Sequence, residues 1–158
     1  MKKNILFTIF IVYAINYQVN AQNTTNTNSK MIPKTEQDWK KQLSEKDFHI
    51  LREKGTERPN TGIYNIHSKN GIYHCKGCNE PLFKSATKFE SHCGWPSFDD
   101  AIKGKVTYTK DTTHGMLRTE ITCSNCGGHL GHIFDDGPQE TTGKRYCINS
   151  ASLNFEKK

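Results

Sequence analysis

The chain has 158 residues, a mass of 18.0 kDa and a formal net charge of +6, and 34% of its residues are hydrophobic. This length predicts one domain, and the mean hydropathy of −0.76 excludes a membrane-embedded protein beyond one N-terminal segment. The basic excess is mild and forms no patch interleaved with aromatic residues, so nucleic-acid binding is not expected. Because the apolar fraction predicts a thin core, the six cysteines have to be explained, as disulfides or as metal ligands.

The N-terminus has the pattern of a secretory signal peptide. Lys2 and Lys3 precede an apolar run at residues 5–15, and residues 19–21 (Val-Asn-Ala) resemble a cleavage site. The apolar run is too short to cross roughly 30 Å of hydrocarbon as a helix. We therefore predict that residues 1–21 are a cleaved signal peptide and that the protein is exported, to the periplasm or out of the cell. No stable membrane insertion is expected after cleavage.

A polar segment of low complexity, residues 22–33, is typical of a flexible linker. The folded domain is then predicted over residues 34–158. Two side-chain capping patterns and one glycine predict that this domain begins with two short helices. These residues are Thr35 with Asp38, Ser44 with Asp47, and Gly55 as the end of the second helix.

Beyond these helices the pattern changes to short β-like runs separated by loops rich in Gly, Asp and Pro. Asn70-Gly71 lies between the first two runs and predicts a hairpin. We therefore expect a mainly β fold. The predicted strands are residues 62–66, 72–75, 105–109, 116–122, 130–134 and 145–149.

Four cysteines form two C-x-x-C pairs far apart in the sequence. Such a turn presents two sulfurs to one ion, and four thiolates suit tetrahedral zinc. Disulfides are the alternative, which the signal peptide makes credible, but paired C-x-x-C motifs favour a metal. With four cysteine ligands the predicted site is closed and structural, with one zinc ion per chain. The predicted ligands are Cys75, Cys78, Cys123 and Cys126.

Two cysteines remain, Cys93 in a loop containing Gly and Pro, and Cys147 in a predicted strand. Side chains alternate along a strand, so Arg145, Cys147 and Asn149 are expected on one face. A neighbouring positive charge lowers the pKa of a thiol towards reactive values. A reactive Cys147 is therefore one interpretation of this pattern.

The residues alone leave other interpretations open. The two remaining cysteines could form a structural disulfide. The nearby pair His129 and His132 could supply protons, bind a metal or be satisfied polar groups. Arg145 could belong to a surface ion pair, and Trp95 could be an ordinary core residue.

Five segments stand in a characteristic order along the chain: residues 55–59 (GTERP), 94–98 (GWPSF), 114–116 (HGM), 129–138 (HLGHIFDDGP) and 145–153 (RYCINSASL). Together with both C-x-x-C pairs, these motifs resemble the methionine sulfoxide reductase B family. The resemblance extends over roughly residues 38–155. One departure is His92, which stands where a small residue is expected before Cys-Gly-Trp.

The resemblance implies two antiparallel sheets with short N-terminal helices, a structural zinc ion, and reduction of the R epimer of methionine sulfoxide, free or in proteins. One enzyme type acts on each sulfoxide epimer. The oxidised enzyme would be regenerated by a thioredoxin-like reductant, and a monomer is expected. The implied catalytic residues are Cys147 as nucleophile, Cys93 as resolving cysteine, His132, His129, Asn149 and His114. The implied substrate-binding residues are Trp95, Phe134, Arg145 and Asp136.

Overall fold

The computed structural model describes residues 34–158, which form two short helices and nine strands in two antiparallel sheets. The predicted mainly β architecture with N-terminal helices is therefore confirmed. The predicted signal peptide and linker lie outside the described residues. Within residues 34–158, no helix has the length and apolar character needed to cross a membrane.

Side-chain caps begin both helices, α1 (Glu36–Gln42) and α2 (Glu45–Glu53). The Thr35 hydroxyl accepts from the backbone N–H of Asp38, and the Asp38 carboxylate accepts in return from the backbone N–H of Thr35. The Ser44 hydroxyl caps α2 in the same position. These caps satisfy N–H groups that have no partner within a helix, as the sequence pattern predicted.

The end of α2 differs from the prediction by one residue. Lys54, rather than Gly55, takes the left-handed conformation that terminates the helix, with φ of 58°. Gly55 instead lies close to the ring of His49, from which a Cβ atom would be only 2.5 Å away. The glycine therefore permits a close approach instead of a positive φ.

The two sheets differ in size. The smaller sheet has the strand order β2-β1-β9 and the larger sheet has the order β3-β4-β8-β7-β6-β5. The strands of the smaller sheet are β1 (Gly71–Cys75), β2 (Pro81–Lys84) and β9 (Leu153–Lys157). Those of the larger sheet are β3 (Lys88–Phe89), β4 (Ser97–Phe98), β5 (Val106–Asp111), β6 (Arg118–Cys123), β7 (His129–Phe134) and β8 (Arg145–Ile148).

The predicted hairpin through Asn70-Gly71 is wrong. Residues 62–66 form turns, and the side chains of Ile63 and Ile66 are 77% and 83% exposed. Strand β1 pairs on both edges with other strands, β2 and β9, so no edge is left for residues 62–66. The sequence analysis missed β2, β3, β4 and β9.

Aromatic rings fill the core between the sheets. The rings of Phe83 and Phe98 stack with centroids 4.4 Å apart, and Tyr73 meets Phe98 edge-on at 5.0 Å. Tyr146 and Ile148 of β8 are buried. Because side chains alternate along β8, the residue between them, Cys147, points to the opposite face.

Candidate active site and metal centre

The four cysteines of the two C-x-x-C pairs converge on one point. All four sulfur atoms lie within 4.8 Å of one another, with Sγ–Sγ distances of 3.7 Å for Cys75–Cys126 and 3.6 Å for Cys78–Cys123. Four thiolates at about 2.3 Å from a tetrahedral ion would be separated by about 3.8 Å. The cluster therefore fits a metal ion, and the predicted ligand set is brought together.

Both helices pack against the turns that carry these cysteines. Gln42 Nε2 donates to the carbonyl of Gly77, and Arg52 donates to the carbonyl of Cys126 at 3.1 Å. Cys75 and Cys123 are buried. A metal ion here would join the helices, the end of β1 and the end of β6, with no ligand position open to substrate.

Cys147 lies in the middle of the larger sheet. It pairs with Ser97 of β4 on one side and with His132 of β7 on the other. The Sγ atoms of Cys93 and Cys147 are 3.7 Å apart, although 54 residues separate them in sequence. Strand pairing therefore places His132 beside Cys147, and the loop that precedes β4 brings Cys93 to the same place.

Two residues with positive φ surround Cys93. His92 has φ of 56° and is exposed, and Gly94 has φ of 95°. A Cβ atom at Gly94 would lie 2.6 Å from Cβ of Pro59. The left-handed conformation gives a physical reason for the small residue expected where this chain has His92.

The two thiols differ in acidity: the pKa of Cys147 is raised and that of Cys93 is lowered. Burial, together with the negative charge of Cys93, raises the pKa of Cys147 to about 12, and the guanidinium of Arg145 only partly offsets this. Burial also disfavours the Cys93 thiolate, but hydrogen bonds from Ser91 and Ser97 outweigh it and lower the pKa of Cys93 to about 7. Arg145 lowers the pKa of Cys147 in the direction that the sequence analysis expected, but desolvation exceeds the attraction of this one cation.

A carboxylate holds His132 beside Cys147. His132 Nε2 lies 2.7 Å from Oδ2 of Asp111, and the same oxygen accepts from Arg118 at 2.7 Å. Hydrogen bonds from Thr113 and from His132 keep the pKa of Asp111 well below its usual range. Asp111 is therefore charged at neutral pH and fixes the orientation of the imidazole.

His129 lies behind His132 instead of in the site. It is 3% exposed, and its Nδ1 lies 2.8 Å from Oε1 of Glu120, which also accepts from Lys54. Burial lowers the pKa of His129, so the ring is neutral at pH 7. The rings of His129 and His132 meet edge-on with centroids 5.5 Å apart.

A cavity of about 130 Å³ opens next to Cys147. A dry cavity of about 150 Å³ is large enough for benzene, so this one suits a small, partly apolar group. The predicted residues Trp95, His132, Phe134, Cys147 and Asn149 all line it. The other lining residues are Thr56, Arg118, Gly131 and Ile148.

Glu57 ties two cavity residues together through its backbone. Its N–H donates to Oδ1 of Asn149 at 3.1 Å, and its carbonyl accepts from Nε1 of Trp95 at 3.1 Å. The buried Glu57 carboxylate accepts from the backbone N–H groups of Ser150 and Ala151. Trp95 and Asn149 therefore have fixed polar atoms, and Trp95 presents its ring to the cavity.

The predicted Arg145 is held beside the cavity, not in its lining. Its guanidinium forms two hydrogen bonds of 2.9 Å with Asp136 and lies 4.5 Å from the centre of the Phe134 ring. This pairing raises the pKa of Arg145. Arg145 therefore carries a permanent positive charge two residues from Cys147, on the same face of β8.

A comparison with family models identifies the chain from its sequence: the model described as "SelR domain" matches residues 43–157. The chain belongs to this family, that of the methionine sulfoxide reductases B.

Three relatives illustrate the similarity, each named "Peptide methionine sulfoxide reductase MsrB". The protein of Agrobacterium fabrum is 56% identical over 81% of this chain and 95% of its own length. That of Chromohalobacter salexigens is 52% identical over 80% and 96%, and that of Methanosarcina barkeri is 52% identical over 80% and 89%. Among solved structures, the Mis18 "Yippee-like" domain is weakly similar, with a TM-score of 0.44 and 18% identity over 57% of this chain and 98% of its own.

The predicted site residue His114 also lies outside the lining of the cavity. His114 is exposed in the short turn Thr113–Gly115 and does not line the cavity next to Cys147. Sequence reasoning missed Arg118 and Glu120. Their alternation along β6 was a usable signal, because the paired strand β7 carries the two histidines.

Proposed function

We propose that this chain reduces the R epimer of methionine sulfoxide to methionine, using Cys147 as nucleophile and Cys93 as resolving cysteine. The observation that carries the proposal is the 3.7 Å separation of the two sulfur atoms beside a cavity lined by Trp95 and His132. The names of the relatives, which are peptide methionine sulfoxide reductases, support the same reaction.

The cavity can bind the methyl group of the substrate against aromatic rings. Trp95 and Phe134 supply apolar walls, and sulfur atoms make favourable contacts with aromatic rings. The sulfoxide oxygen would then point to the polar side, where His132 and Asn149 lie. Only one epimer of the sulfoxide can place its methyl group on the apolar side and its oxygen on the polar side while its sulfur faces Cys147. We propose that this is how the cavity selects the R epimer.

In the first step the sulfur of Cys147 attacks the sulfoxide sulfur and a transient sulfur–sulfur bond forms. This bond and the sulfur–oxygen bond of the substrate then break as the oxygen passes to the sulfur of Cys147. Methionine leaves, and Cys147 becomes a sulfenic acid. Because the pKa of Cys147 is about 12, the thiol starts protonated, and this proton balances the one that the oxygen gains. His132, fixed by Asp111, is the proposed carrier between these atoms, while His129 positions His132 through ring contact.

In the second step Cys93 attacks the Cys147 sulfenic acid, and water leaves as the disulfide forms. The sulfur atoms must approach from 3.7 Å to about 2.05 Å, which the loop of Cys93 can provide by a small movement. A thioredoxin-like dithiol would then reduce the disulfide and restore both thiols.

We propose zinc as the metal held by Cys75, Cys78, Cys123 and Cys126, since four thiolates in a tetrahedron are its preferred structural site. When bound it would cross-link the two turns and take no part in electron transfer.

We also propose that residues 1–21 direct export of the chain and are then removed. Residues 22–33 would form a linker, and residues 34–158 would form the reductase domain, which we expect to act as a monomer. This location would require a thioredoxin-like partner outside the cytosol, because disulfides persist there. N-terminal sequencing of the protein from its host tests the cleavage site, and a sequence beginning at Met1 would contradict it.

The central experiment compares the R and S epimers with the purified protein and dithiothreitol. We expect methionine from the R epimer only, and none with Cys147→Ser. The variant Cys93→Ser should release one methionine per chain and then stop with a thioredoxin donor. Activity that survives Cys147→Ser, or equal thioredoxin turnover by Cys93→Ser, would reject the assigned roles and favour a zinc-containing binding module with a structural disulfide.

A further inference from the structure

Two serine hydroxyls surround the sulfur of Cys93. Ser91 Oγ donates to Cys93 Sγ at 3.0 Å, and Ser97 Oγ lies 3.5 Å from the same sulfur. The two hydroxyl oxygens are 2.7 Å apart, within hydrogen-bond distance. Neither serine is used by the reaction as described above, yet both point at the group that must act as the second nucleophile.

We propose that Ser91 and Ser97 are positioning residues for Cys93, and that their linked hydroxyls stabilise the negative charge on Sγ while it attacks Cys147. This inference rests on the proposed function, because it assigns a purpose to the hydroxyls only if Cys93 is the resolving cysteine.

The position of Ser97 is fixed by the sheet. Ser97 is 1% exposed, and its residue pairs directly with Cys147 in β4 and β8. A hydroxyl held at this point lies on the Cys93 side of the reacting pair. Because Ser97 can donate to Ser91 while Ser91 donates to Cys93, the two bonds strengthen each other.

The carbonyl oxygen of Trp95 is an acceptor for both the Cys93 thiol and the Ser97 hydroxyl when Cys93 is neutral. The Cys93 thiol can then donate to the carbonyl of Trp95 at 3.5 Å, which Ser97 Oγ also approaches at 3.3 Å. On loss of the proton, Sγ becomes a pure acceptor, and the Ser91 hydroxyl already points towards it. The site therefore accommodates both protonation states without moving the backbone.

Other charged groups around Cys93 are few among the described residues. Cys147 and Arg145 face it from β8, and Arg145 interacts electrostatically with both sulfur atoms. Glu90 and His92 on its own loop are largely exposed and pair with each other at 3.5 Å. Burial alone would raise the pKa of Cys93. The hydrogen bonds of Ser91 and Ser97 are the largest contributions that lower it to about 7, followed by those of the Trp95 backbone and Cys147.

The step that the two hydroxyls assist is the formation of the Cys93–Cys147 disulfide, which needs no further oxidant. The Cys93 thiolate attacks the sulfur of the Cys147 sulfenic acid, the sulfur–sulfur bond forms, and the sulfur–oxygen bond breaks. Hydroxide leaves and takes up one proton to become water. The two-electron oxidation of the thiol pair matches the two-electron reduction of the sulfoxide in the preceding step.

The first test measures Cys93 without any turnover. In Cys147→Ser, mass spectrometry follows alkylation of Cys93 by iodoacetamide against pH, with and without Ser91→Ala. Loss of one hydrogen bond to a charged sulfur is expected to move the midpoint upward by about one pH unit. Ser91→Thr, which keeps a hydroxyl, should restore the midpoint, and Ser68→Ala on an exposed loop should not change it. An unchanged midpoint in Ser91→Ala would overturn the proposal, whatever the catalytic function is.

The second test follows disulfide formation after mixing with methionine R-sulfoxide, relative to methionine release. A Cys93 thiolate that is one unit more basic is scarcer at low pH but more nucleophilic. We expect Ser91→Ala to form the disulfide about threefold more slowly at pH 6 and about two- to threefold faster at pH 9. A slower rate at both pH values would show general damage and reject the assigned role of the hydroxyl. If the unaltered protein releases methionine without forming a disulfide, the resolving role of Cys93 fails instead.

Discussion

The substitution Gly131→Ala should damage both stability and catalysis, because strand β7 touches strand β8 closely at this point. A Cβ atom at Gly131 would lie 2.0 Å from the carbonyl oxygen of Cys147. Carbon and oxygen need about 3.3 Å, so the strands must separate by more than about 1 Å. The obstructing atom belongs to the backbone and cannot rotate away. Overpacking of this kind costs roughly 1–3 kcal/mol of unfolding free energy, and displacement of a catalytic group by 1 Å can cost about 10²-fold in rate.

Two measurements on zinc-loaded protein test this reasoning. Thermal unfolding by circular dichroism should show a Tm lowered by roughly 5–10 °C, and kcat/KM for methionine R-sulfoxide with dithiothreitol should fall about 100-fold. Gly104→Ala is the matched control, since Gly104 has φ of 76° but nothing within 4 Å of the added methyl group. It should lose about 1–2 kcal/mol through its backbone and keep its kcat/KM. If Gly131→Ala keeps the Tm and activity of the parent, the close approach does not position Cys147.

Three further predictions follow from the metal cluster and the histidines. Elemental analysis should find one zinc ion per chain. Chelation under reducing conditions should abolish cooperative unfolding, because structural zinc contributes roughly as much free energy as the whole stability of a domain. An unchanged Tm in the chelated protein would contradict this. His132→Ala should lower kcat/KM by about 10²–10⁴-fold, because His132 lines the cavity. His114→Ala should lower kcat/KM less than about tenfold, because His114 lies in an exposed turn. A similar loss in both variants would show that His114 also belongs to the active site. Asp111→Asn should reduce activity by releasing His132 and Arg118, and it should also destabilise the fold at pH 7. Because the pKa of folded Asp111 is depressed, this stability difference should be present above about pH 4 and disappear as the pH falls further, so a difference that persists in acid would refute the assignment.

Local signals in the sequence were sufficient where one residue type decides the structure by itself. The caps at Thr35 and Ser44 form as predicted, since a hydroxyl next to unpaired N–H groups needs no distant partner. The cysteine spacing likewise predicted the four-sulfur cluster, because a C-x-x-C turn creates half of a metal site locally.

Predictions of strands were less reliable, because a strand forms only where another strand is available to pair with it. Residues 62–66 have the composition of a strand, but β2 and β9 occupy both edges of β1, so those residues form turns. The strands β3 and β4 have two residues each and carry no periodic pattern that a sequence can reveal. Their importance lies in register, because β4 places Ser97 beside Cys147.

The acidity of the two thiols likewise depends on parts of the structure that are distant in the sequence. Neighbours in sequence, Arg145 above all, predicted a Cys147 with a lowered pKa, and the sequence carries no measure of desolvation. Burial among three strands raises the pKa of Cys147, while two hydroxyls lower that of Cys93. By itself the sequence determined which residues are available, namely four cysteines in two C-x-x-C pairs and two cysteines outside them. Only the tertiary structure decided their distances, burial and protonation, because these depend on strand register and on atoms distant in the chain.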